Sequence, residues 1–470
     1  MKQLFRTKRT TPEDFSHSGL QRCLGAFDLT LLGIGAIIGT GIFVLTGIAA
    51  ANQAGPAVVL SFVVSGIACA FAALAYAELA ASVGGCGSAY GYSYAAFGEL
   101  FAWIIGWTLL LEYGIAVAAV ANGWSGYFQN GLTAIGLGLP EHLINAPSKG
   151  GVINLPALGI VLSLMVLLII GVKQSARFNA AMVFVKLSTI AVFVAIAAFN
   201  VDAANWSPFM PFGWFDHDPE GKPIGVLAGA AIVFFAYVGF DAVSTAAEEA
   251  ENPQRDLPIG IIGSLIFCTV IYILVAGLLT GIRPYSELGV PSPVADALQK
   301  LGFNWASGLV AAGVIAGLTT VMLVLYYGLT RIIFAMARDG LLPTAFSEVN
   351  AKTHTPIRVI VLCGVVMALL AGFVPLAELA ELVNIGTLAA FVMVCLGVVI
   401  LRRVHPEMHR PFKIPLSPLV PVLGMLSCAA LMAFLPPVTW VRFFVWLLIG
   451  LVIYFGYSMR HSKLAVAEQS

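Results

Sequence analysis

The stretch Ile37-Ile38-Gly39-Thr40-Gly41-Ile42 interrupts an otherwise apolar run that extends from residue 27 to residue 51. Lipid offers no partner for backbone N–H and C=O groups, so a membrane-spanning segment normally satisfies them within its own helix. Two glycines weaken that helix, because glycine is a poor helix former. The stretch therefore predicts unwound backbone that faces a cavity inside a membrane protein.

A second interruption lies two hundred residues further along the chain, in Phe235-Ala236-Tyr237-Val238-Gly239-Phe240-Asp241. A glycine, with an acid beside it, again falls inside an apolar span. Paired interruptions in the two halves of a membrane protein point to the substrate site of a transporter. Two units of five spans, each beginning with an interrupted span, must have opposite orientations because five is odd. The pattern predicts an inverted repeat.

The composition is that of a membrane protein. Of the 470 residues, 59% are hydrophobic and 10% are charged, whereas soluble domains carry roughly 25% charged residues. Apolar runs close to the ~20 residues that cross a bilayer recur throughout the chain. We expect an all-α integral membrane protein with twelve transmembrane helices, at approximately 27–51, 56–78, 99–128, 155–174, 178–200, 225–247, 258–281, 305–337, 357–373, 379–401, 419–435 and 438–458.

The interruptions and the spans together divide the chain into four parts. These are an N-terminal tail at 1–26, a first five-helix repeat at 27–200, a second, inverted repeat at 225–401, and two additional helices with a short tail at 402–470. Helices 1 and 6 are the discontinuous ones. The polar segment before residue 27 shows no secretory signal.

The distribution of basic residues predicts the orientation in the membrane. Eighteen of the 24 lysines and arginines fall on the side that holds both termini, and five fall on the other side. The positive-inside rule then places both termini in the cytoplasm, as expected for a multi-pass protein of the plasma (inner) membrane. A formal net charge of +0 excludes a nucleic-acid partner.

The two interruptions offer opposite partial charges to a ligand. Free amides at residues 39–41 lie at the positive, N-terminal end of a half-helix and suit a carboxylate. The carbonyls of Phe235, Ala236 and Val238 lie at the negative end of another half-helix and suit an ammonium group. A zwitterionic α-amino acid has this shape. The alternative is close helix packing through the small-xxx-small motif at 35–39, and both can hold at once.

Three ionisable residues fall inside spans, where such residues mark pathways or paired charges. Asp241 either caps the second half-helix of span 6 or contacts the substrate. Lys186 in span 5 either snorkels to the interface or lies buried against span 1, where protonation of its amine becomes switchable. Glu112 in span 3 either lines the pathway or makes a structural hydrogen bond to a neighbouring helix. Lys186 is thus the candidate for proton coupling.

Other classes of function find little support in the sequence. The chain has no Gly-Lys-Ser/Thr phosphate loop, and the glycines at 33–35 lack the third glycine of a dinucleotide loop. The seven histidines fall in tails or loops, so we expect no metal and no cofactor. An intramembrane enzyme lacks a nucleophile–base pair at membrane depth. A ligand-binding membrane sensor is a remote alternative.

Three motifs resemble a known family. They are Gly35-Ala36-Ile37-Ile38-Gly39-Thr40-Gly41-Ile42-Phe43 in span 1, Phe240-Asp241-Ala242 followed by Glu248-Glu249, Asn252-Pro253, Arg255 and Pro258, and Arg338-Asp339-Gly340-Leu341-Leu342-Pro343 after span 8. In their order, their spacing and the twelve-span length, the whole chain resembles the amino acid–polyamine–organocation superfamily. Within it, the chain is most similar to the bacterial cationic amino acid transporter-like branch.

The resemblance implies a LeuT-like fold of five plus five helices, alternating access and proton-linked movement of amino acids. It implies that Lys186 couples to protons, and that Glu112 and Asp241 line or gate the pathway. The implied substrate-binding residues are Ile37, Gly39, Thr40 and Gly41 on the carboxylate side, and Phe235, Ala236 and Val238 on the amino side.

Span 8 is expected to supply the pocket wall through Met322, Leu325 and Tyr326, with Tyr326→Ser broadening selectivity. These side chains are bulky, and no unpaired acid is evident for a guanidinium or ammonium tail. The prediction is therefore proton-coupled symport of small or neutral L-amino acids. An exchanger and a transporter of arginine or lysine are the alternatives. Besides the substrate, protons and the lipid bilayer, the sequence leaves small membrane subunits and a homo-oligomer open as partners.

Overall fold

The computed structural model describes residues 24–83, 89–171, 176–247, 249–350, 353 and 355–464. Most of the predicted N-terminal tail, the motif residue Glu248 and the last six residues lie outside this range. The described chain forms sixteen α-helices, α1 to α16 in order, at Ala26–Ile37, Thr46–Ala49, Val58–Ser82, Ala89–Ala96, Glu99–Ala134, Leu155–Ile170, Ala176–Ala198, Val226–Val233, Pro253–Ile282, Pro293–Lys300, Asn304–Arg338, Ile357–Phe373, Leu376–Val404, Leu419–Ala433, Pro437–Ile453 and Met459–His461. Two short antiparallel strands, β1 (Asp216–His217) and β2 (Pro223–Ile224), form a hairpin.

The molecule is an all-α protein with the helix lengths of a membrane protein, as predicted. In the described chain, eight helical segments are long and apolar enough to cross a bilayer: Gly41–Ser82, Glu99–Ala134, Phe178–Ala198, Val226–Ala246, Pro253–Ile282, Asn304–Arg338, Leu376–Val404 and Pro437–His461. Four shorter apolar helices accompany them, at Ala26–Ile37, Leu155–Ile170, Ile357–Phe373 and Leu419–Ala433.

The first interruption is present where the sequence places it. Helix α1 ends at Ile37, and Ile38 leaves the helical region with ψ 102°. A π-helical turn at Gly41–Leu45 then starts the second half of the segment, which continues through α2 and a further π turn at Ala50–Ala54. The wide turns place several side chains of this half on one apolar face, and all five residues of the first turn are buried.

The second interruption divides the segment that begins with α8. Helix α8 tightens into a 3₁₀ turn at Phe234–Tyr237, and the chain resumes as 3₁₀ helix at Phe240–Ala246. Between them, Gly239 adopts φ +115°, a conformation that glycine reaches without a Cβ clash. Both interruptions predicted from the sequence are thus present in the fold.

The long helices of the core pack against one another beside the two interruptions. Helix α5 packs along α11 and α13, while α9 packs along α1 and α3. Helix α15 is fixed to α5 by a reciprocal pair of hydrogen bonds, in which the indole of Trp107 donates to the Trp446 carbonyl (2.8 Å) and the indole of Trp446 donates to the Trp107 carbonyl (3.0 Å). The two rings stack with centroids 4.5 Å apart. The C-terminal helices therefore lie against the core.

A parallel β-bridge joins the residue before α1 to the chain that follows the second interruption. The Leu24 amide donates to the Glu249 carbonyl, and the Glu251 amide donates to the Leu24 carbonyl, both at 3.0 Å. Nearby, Arg331 of α11 lies 3.7 Å from the Glu249 carboxylate. The start of α1 and the end of the second interrupted segment are thus held together by backbone hydrogen bonds.

Candidate substrate site

A cavity lies between the two interruptions. Its water-accessible volume is about 20 Å³, which is room for about one water molecule, so the cavity is nearly closed in this structure. None of its lining residues carries a charge, and only one has a polar side chain. The lining residues are Ala36, Ile37, Gly39, Thr40, Gly41, Ala116, Val120, Phe235, Val238, Val321 and Leu325.

The first interruption presents backbone amides to the cavity. The helical hydrogen bonds that flank it run from the Ile38 amide to the Ile34 carbonyl (3.0 Å) and from the Phe43 amide to the Gly39 carbonyl (3.4 Å). The first amides of a helical segment have no intrahelical acceptor, so the amides between these two bonds suit a ligand. Thr40 adds a buried hydroxyl without a hydrogen-bond partner in the described part of the chain. This end of the cavity suits a carboxylate.

The second interruption presents carbonyl oxygens. The Phe235 carbonyl accepts the Val238 amide at 3.2 Å, and the Ala236 carbonyl accepts the Tyr272 hydroxyl at 2.8 Å. Each carbonyl oxygen has two lone pairs, so the carbonyl of Phe235, which lines the cavity, can also accept from an ammonium group. The predicted residue Ala236 is not among the lining residues. This end of the cavity has the opposite polarity to the first.

Close backbone packing sets the distance between the two interruptions. A Cβ atom on Gly41 would lie 2.2 Å from the Cα of Ala236, and one on Gly239 would lie 3.1 Å from the backbone carbonyl of Ala36. By contrast, a Cβ on Gly39 would meet nothing closer than Val321 at 3.7 Å. Gly41 therefore serves packing as well as lining the cavity, so both interpretations of the glycine motif apply.

Tyr272 of α9 bridges the two interruptions. Its hydroxyl lies 2.9 Å from the Ile37 carbonyl and 2.8 Å from the Ala236 carbonyl. A hydroxyl has one proton to donate, so the two carbonyls share it. The ring packs between Phe62 and Tyr237, with centroid distances of 5.4 Å to each. The residue fixes the end of α1 relative to the carbonyl end of the cavity.

Tyr272→Phe should lower transport roughly tenfold, because two buried carbonyls lose their shared donor and no hydroxyl then joins the two interruptions. The free energy of unfolding should fall by about 1–2 kcal/mol. Initial rates of uptake and thermal unfolding in detergent measure the two effects. Tyr237→Phe is the matched control, since its hydroxyl donates to the Phe62 carbonyl at 2.8 Å in the same aromatic cluster. Equal losses of transport in both variants would contradict a special role for Tyr272.

Apolar side chains from two helices form the wall of the cavity between its polar ends. Helix α5 contributes Ala116 and Val120, and α11 contributes Val321 and Leu325. Each pair is spaced four residues apart, so its members share one face of their helix. The wall is aliphatic, which suits an uncharged, apolar side chain on the ligand.

Of the wall predicted on span 8, Leu325 lines the cavity, whereas Met322 and Tyr326 do not. Tyr326 and Met322 are fully buried but do not line the cavity. The Tyr326 hydroxyl donates to the Ile360 carbonyl of α12 at 2.5 Å. One residue along a helix turns the side chain by about 100°, so Tyr326 points away from the face shared by Val321 and Leu325. This position gives no structural reason for Tyr326→Ser to broaden selectivity.

Lys186 lies next to the first interruption but outside the cavity. It is 1% exposed, and its Nζ donates to the Gly35 carbonyl of α1 at 2.6 Å. Its aliphatic stem passes over Gly317 of α11, where a Cβ would lie 2.9 Å from the lysine Cγ. The side chain points into the protein rather than snorkelling to an interface.

Glu112 and Asp241 are buried but do not line the cavity. Asp241 accepts the hydroxyl of Tyr113, the residue after Glu112, at 3.4 Å. The N-cap of the 3₁₀ segment is Gly239, and Asp241 is the second residue inside the segment. Neither oxygen of Glu112 has a hydrogen-bond partner among the described residues, which argues against a structural hydrogen bond there.

Comparison with known proteins places the chain in a family. A family model described as amino acid permease matches residues 24–456. The chain belongs to the amino acid permease family. The similarity to the amino acid–polyamine–organocation superfamily, inferred above from three motifs, is thereby confirmed, and the permease is a transport protein rather than an enzyme.

The relatives of this permease carry different substrate names. It is 53% identical, over 95% of both chains, to a protein of Bacillus subtilis (strain 168) named branched-chain amino acid permease BcaP. It is 48% identical to the methylthioribose transporter of the same organism, over 99% of this chain and 100% of the relative. It is 38% identical to the vacuolar cationic amino acid transporter 4 of Arabidopsis thaliana, over 83% of this chain and 64% of the relative. The expected kinship with cationic amino acid transporters is therefore confirmed.

Sequence reasoning missed the residues that line or brace the cavity from intact helices. Ala116, Val120 and Val321 are ordinary aliphatic residues in apolar spans, so nothing in their type marks them. Tyr272 had one usable signal, since a tyrosine hydroxyl in the middle of an apolar span needs a partner.

Proposed function

We propose that this permease is a proton-coupled symporter of small, neutral, apolar L-amino acids. It would work by alternating access, with twelve spans in a five-plus-five inverted repeat and both termini in the cytoplasm. One observation carries the proposal: the cavity has backbone amides at one interruption, backbone carbonyls at the other, and aliphatic walls between them.

The walls of the cavity favour an aliphatic side chain over a cationic one. A guanidinium or ammonium tail in an apolar site needs a buried partner of opposite charge, and no acid lines the cavity. The relative named for branched-chain amino acids is consistent with this choice. Another relative is named for methylthioribose, a sugar that has neither an α-carboxylate nor an α-ammonium. Methylthioribose is therefore included as a competitor in the substrate test.

Lys186 supports proton coupling through its position. Its ammonium donates to the Gly35 carbonyl, two residues before the end of α1. Loss of the proton removes both the positive charge and this charge-assisted hydrogen bond. The protonation state of Lys186 would therefore bias how α1, which ends at the first interruption, packs against α7.

Uptake by purified protein in proteoliposomes tests the proposal. We expect labelled L-leucine to accumulate when the outside is more acidic, and unlabelled valine, isoleucine and alanine to compete, while arginine, lysine and methylthioribose do not. Uptake that needs internal amino acid and ignores the proton gradient would favour an exchanger. Competition by arginine would favour the cationic alternative, and binding without flux would favour a sensor.

Leu325→Ala should shift selectivity toward larger apolar substrates. Removing the branched end of Leu325 leaves more space in the cavity beside the side chain of the ligand. Even a methylene-sized change in an apolar pocket alters discrimination between substrates by roughly tenfold or more. We expect the half-inhibitory concentration of phenylalanine to fall relative to that of alanine. Tyr326→Phe is the control, because its hydroxyl bonds Ile360 outside the cavity. An unchanged competition profile in Leu325→Ala would mean that this wall does not contact the substrate.

A further inference from the structure

A second concave site lies outside the substrate cavity, at the beginning of α9. Its water-accessible volume is about 640 Å³, which falls within the roughly 300–1,000 Å³ of small-molecule sites. One wall is the face of α9 between Gln254 and Gly263, and the other is Pro411 and Phe412 from the loop between α13 and α14. We call it the α9 groove, and it shares no lining residue with the substrate cavity.

Hydrogen bonds to a buried acid hold the loop that forms the second wall. Glu78 of α3 is 1% exposed and accepts two hydrogen bonds from the Arg402 guanidinium, at 2.8 and 2.5 Å, and one from the Ile414 amide at 2.8 Å. Arg410 donates to three backbone carbonyls that precede it in the chain, at 2.8–3.0 Å. Phe412 lies between Arg410 and Ile414 in sequence, so the wall that it forms has a defined position.

The groove is positively charged at the end where α9 begins. Arg255 is exposed, and its guanidinium has neither an ion pair nor a hydrogen bond among the described residues. Lys413, which follows the groove residue Phe412 in the chain, is also exposed. The neighbouring acid Asp256 is buried and accepts the Asn252 amide at 3.1 Å, and no acidic residue of the described chain lines the groove. This end therefore suits an anion.

The other end of the groove is apolar and continues as an exposed stripe along α9. Ile259 lines the groove and is 43% exposed, and Ile266, Val270 and Leu274 follow it with 60%, 60% and 42% of their surface exposed. Spacings of seven and four residues place these side chains on one face of the helix. Leu274 lies about 22 Å beyond Ile259 along α9, which exceeds the roughly 15 Å of hydrocarbon in one leaflet. An acyl chain can thus run from the groove along the helix.

One class of ligand suits both ends. A free anion such as inorganic phosphate would contact Arg255 and leave the apolar walls unused, whereas a neutral lipid would do the reverse. A zwitterionic headgroup would bring another cation to an end that already holds Arg255 and Lys413. Basic pockets between membrane helices bind anionic headgroups. We propose that the α9 groove binds an anionic phospholipid, with its phosphate at Arg255 and one acyl chain along the stripe that starts at Ile259.

Native mass spectrometry of the purified permease in a neutral detergent tests this site. With phosphatidylglycerol and phosphatidylcholine added at equal concentration, we expect one phosphatidylglycerol molecule to remain bound, and thermal unfolding to shift upward with phosphatidylglycerol alone. Arg255→Gln should raise the apparent dissociation constant roughly fivefold, which is the effect of one basic residue near an anionic lipid. Arg403→Gln is the matched control, because Arg403 is also exposed but does not line the groove.

A second variant tests the apolar part of the groove. Ile259→Trp fills the space beside the acyl chain and keeps both cations, so we expect phosphatidylglycerol to bind at least as weakly as it does to Arg255→Gln. Equal binding of the two lipids, or an unchanged dissociation constant in either folded variant, would overturn the inference. Displacement of phosphatidylglycerol by millimolar inorganic phosphate would also overturn it, since the groove would then be a site for simple anions. These measurements involve no transport, so they stand apart from the test of the proposed symport.

Discussion

Replacing Lys186 with methionine removes the accumulation of substrate that a proton gradient drives, while slow exchange of internal for external amino acid persists. An inward gradient of one pH unit stores about 1.4 kcal/mol per proton, which supports about tenfold accumulation at one proton per substrate. Methionine keeps an unbranched stem beside Gly317, one atom shorter than lysine, but cannot donate to the Gly35 carbonyl. The internal-to-external ratio of labelled leucine should therefore fall from about ten to one.

The sign of this effect is fixed by the direction of the gradient. In the proposed symport, acid outside would protonate the outward-facing transporter, and release of the proton inside would make the step favourable. Without Lys186, we expect the acid side to confer no advantage. Lys222→Met is the matched control, because Lys222 lies on an exposed loop and pairs only with Glu220 among the described residues. If Lys186→Met is correctly inserted and still accumulates substrate, Lys186 has a structural role and does not couple transport to protons.

Alanine at Gly41 disrupts transport far more than alanine at Gly39, although the two glycines belong to the same interruption. The Cβ that Gly41→Ala introduces would fall 2.2 Å from the Ala236 Cα, so the interruptions must separate. Overpacking of this kind costs about 1–3 kcal/mol, which corresponds to a roughly 10- to 100-fold loss of uptake. At Gly39 the nearest atom is 3.7 Å away, so we expect a loss of only a few-fold.

Initial uptake rates of the two alanine variants, normalised to the amount of protein in the membrane, measure this difference. The comparison controls for the lost flexibility of a glycine, because both variants lose it equally. Similar rates in Gly41→Ala and Gly39→Ala would mean that the interruptions do not touch in the transporting protein.

The interruptions themselves could be predicted from sequence, because whether a lipid-facing segment can satisfy its backbone groups depends on the residues of that segment alone. A glycine pair in an apolar span leaves backbone groups that lipid cannot satisfy, and the structure has α1 ending at Ile37 as that argument requires. The same reasoning identified the segment around Gly239. Helix locations followed equally directly, since long apolar runs have few alternatives in a chain of this composition.

Side-chain direction could not be predicted, because it depends on how each helix is rotated against its neighbours. Leu325 and Tyr326 are adjacent in sequence, yet one lines the cavity and the other bonds Ile360 of α12. An apolar helix that is buried on most of its circumference has no polar face to set this rotation. Only the packing of α11 between α5 and α12 decides it.

The backbone bridge at Leu24 connects the two interrupted segments directly. Because its hydrogen bonds hold Glu249 and Glu251 to the residue before α1, a displacement at the start of α1 is transmitted to the end of the second interrupted segment without passing through the cavity. The bridge thus links α1 and the half-helix at Phe240–Ala246, the two halves that lead away from the interruptions, at their far ends. Under the proposed alternating access we expect these two halves to move together, so that both ends of the cavity would open in one step rather than in sequence.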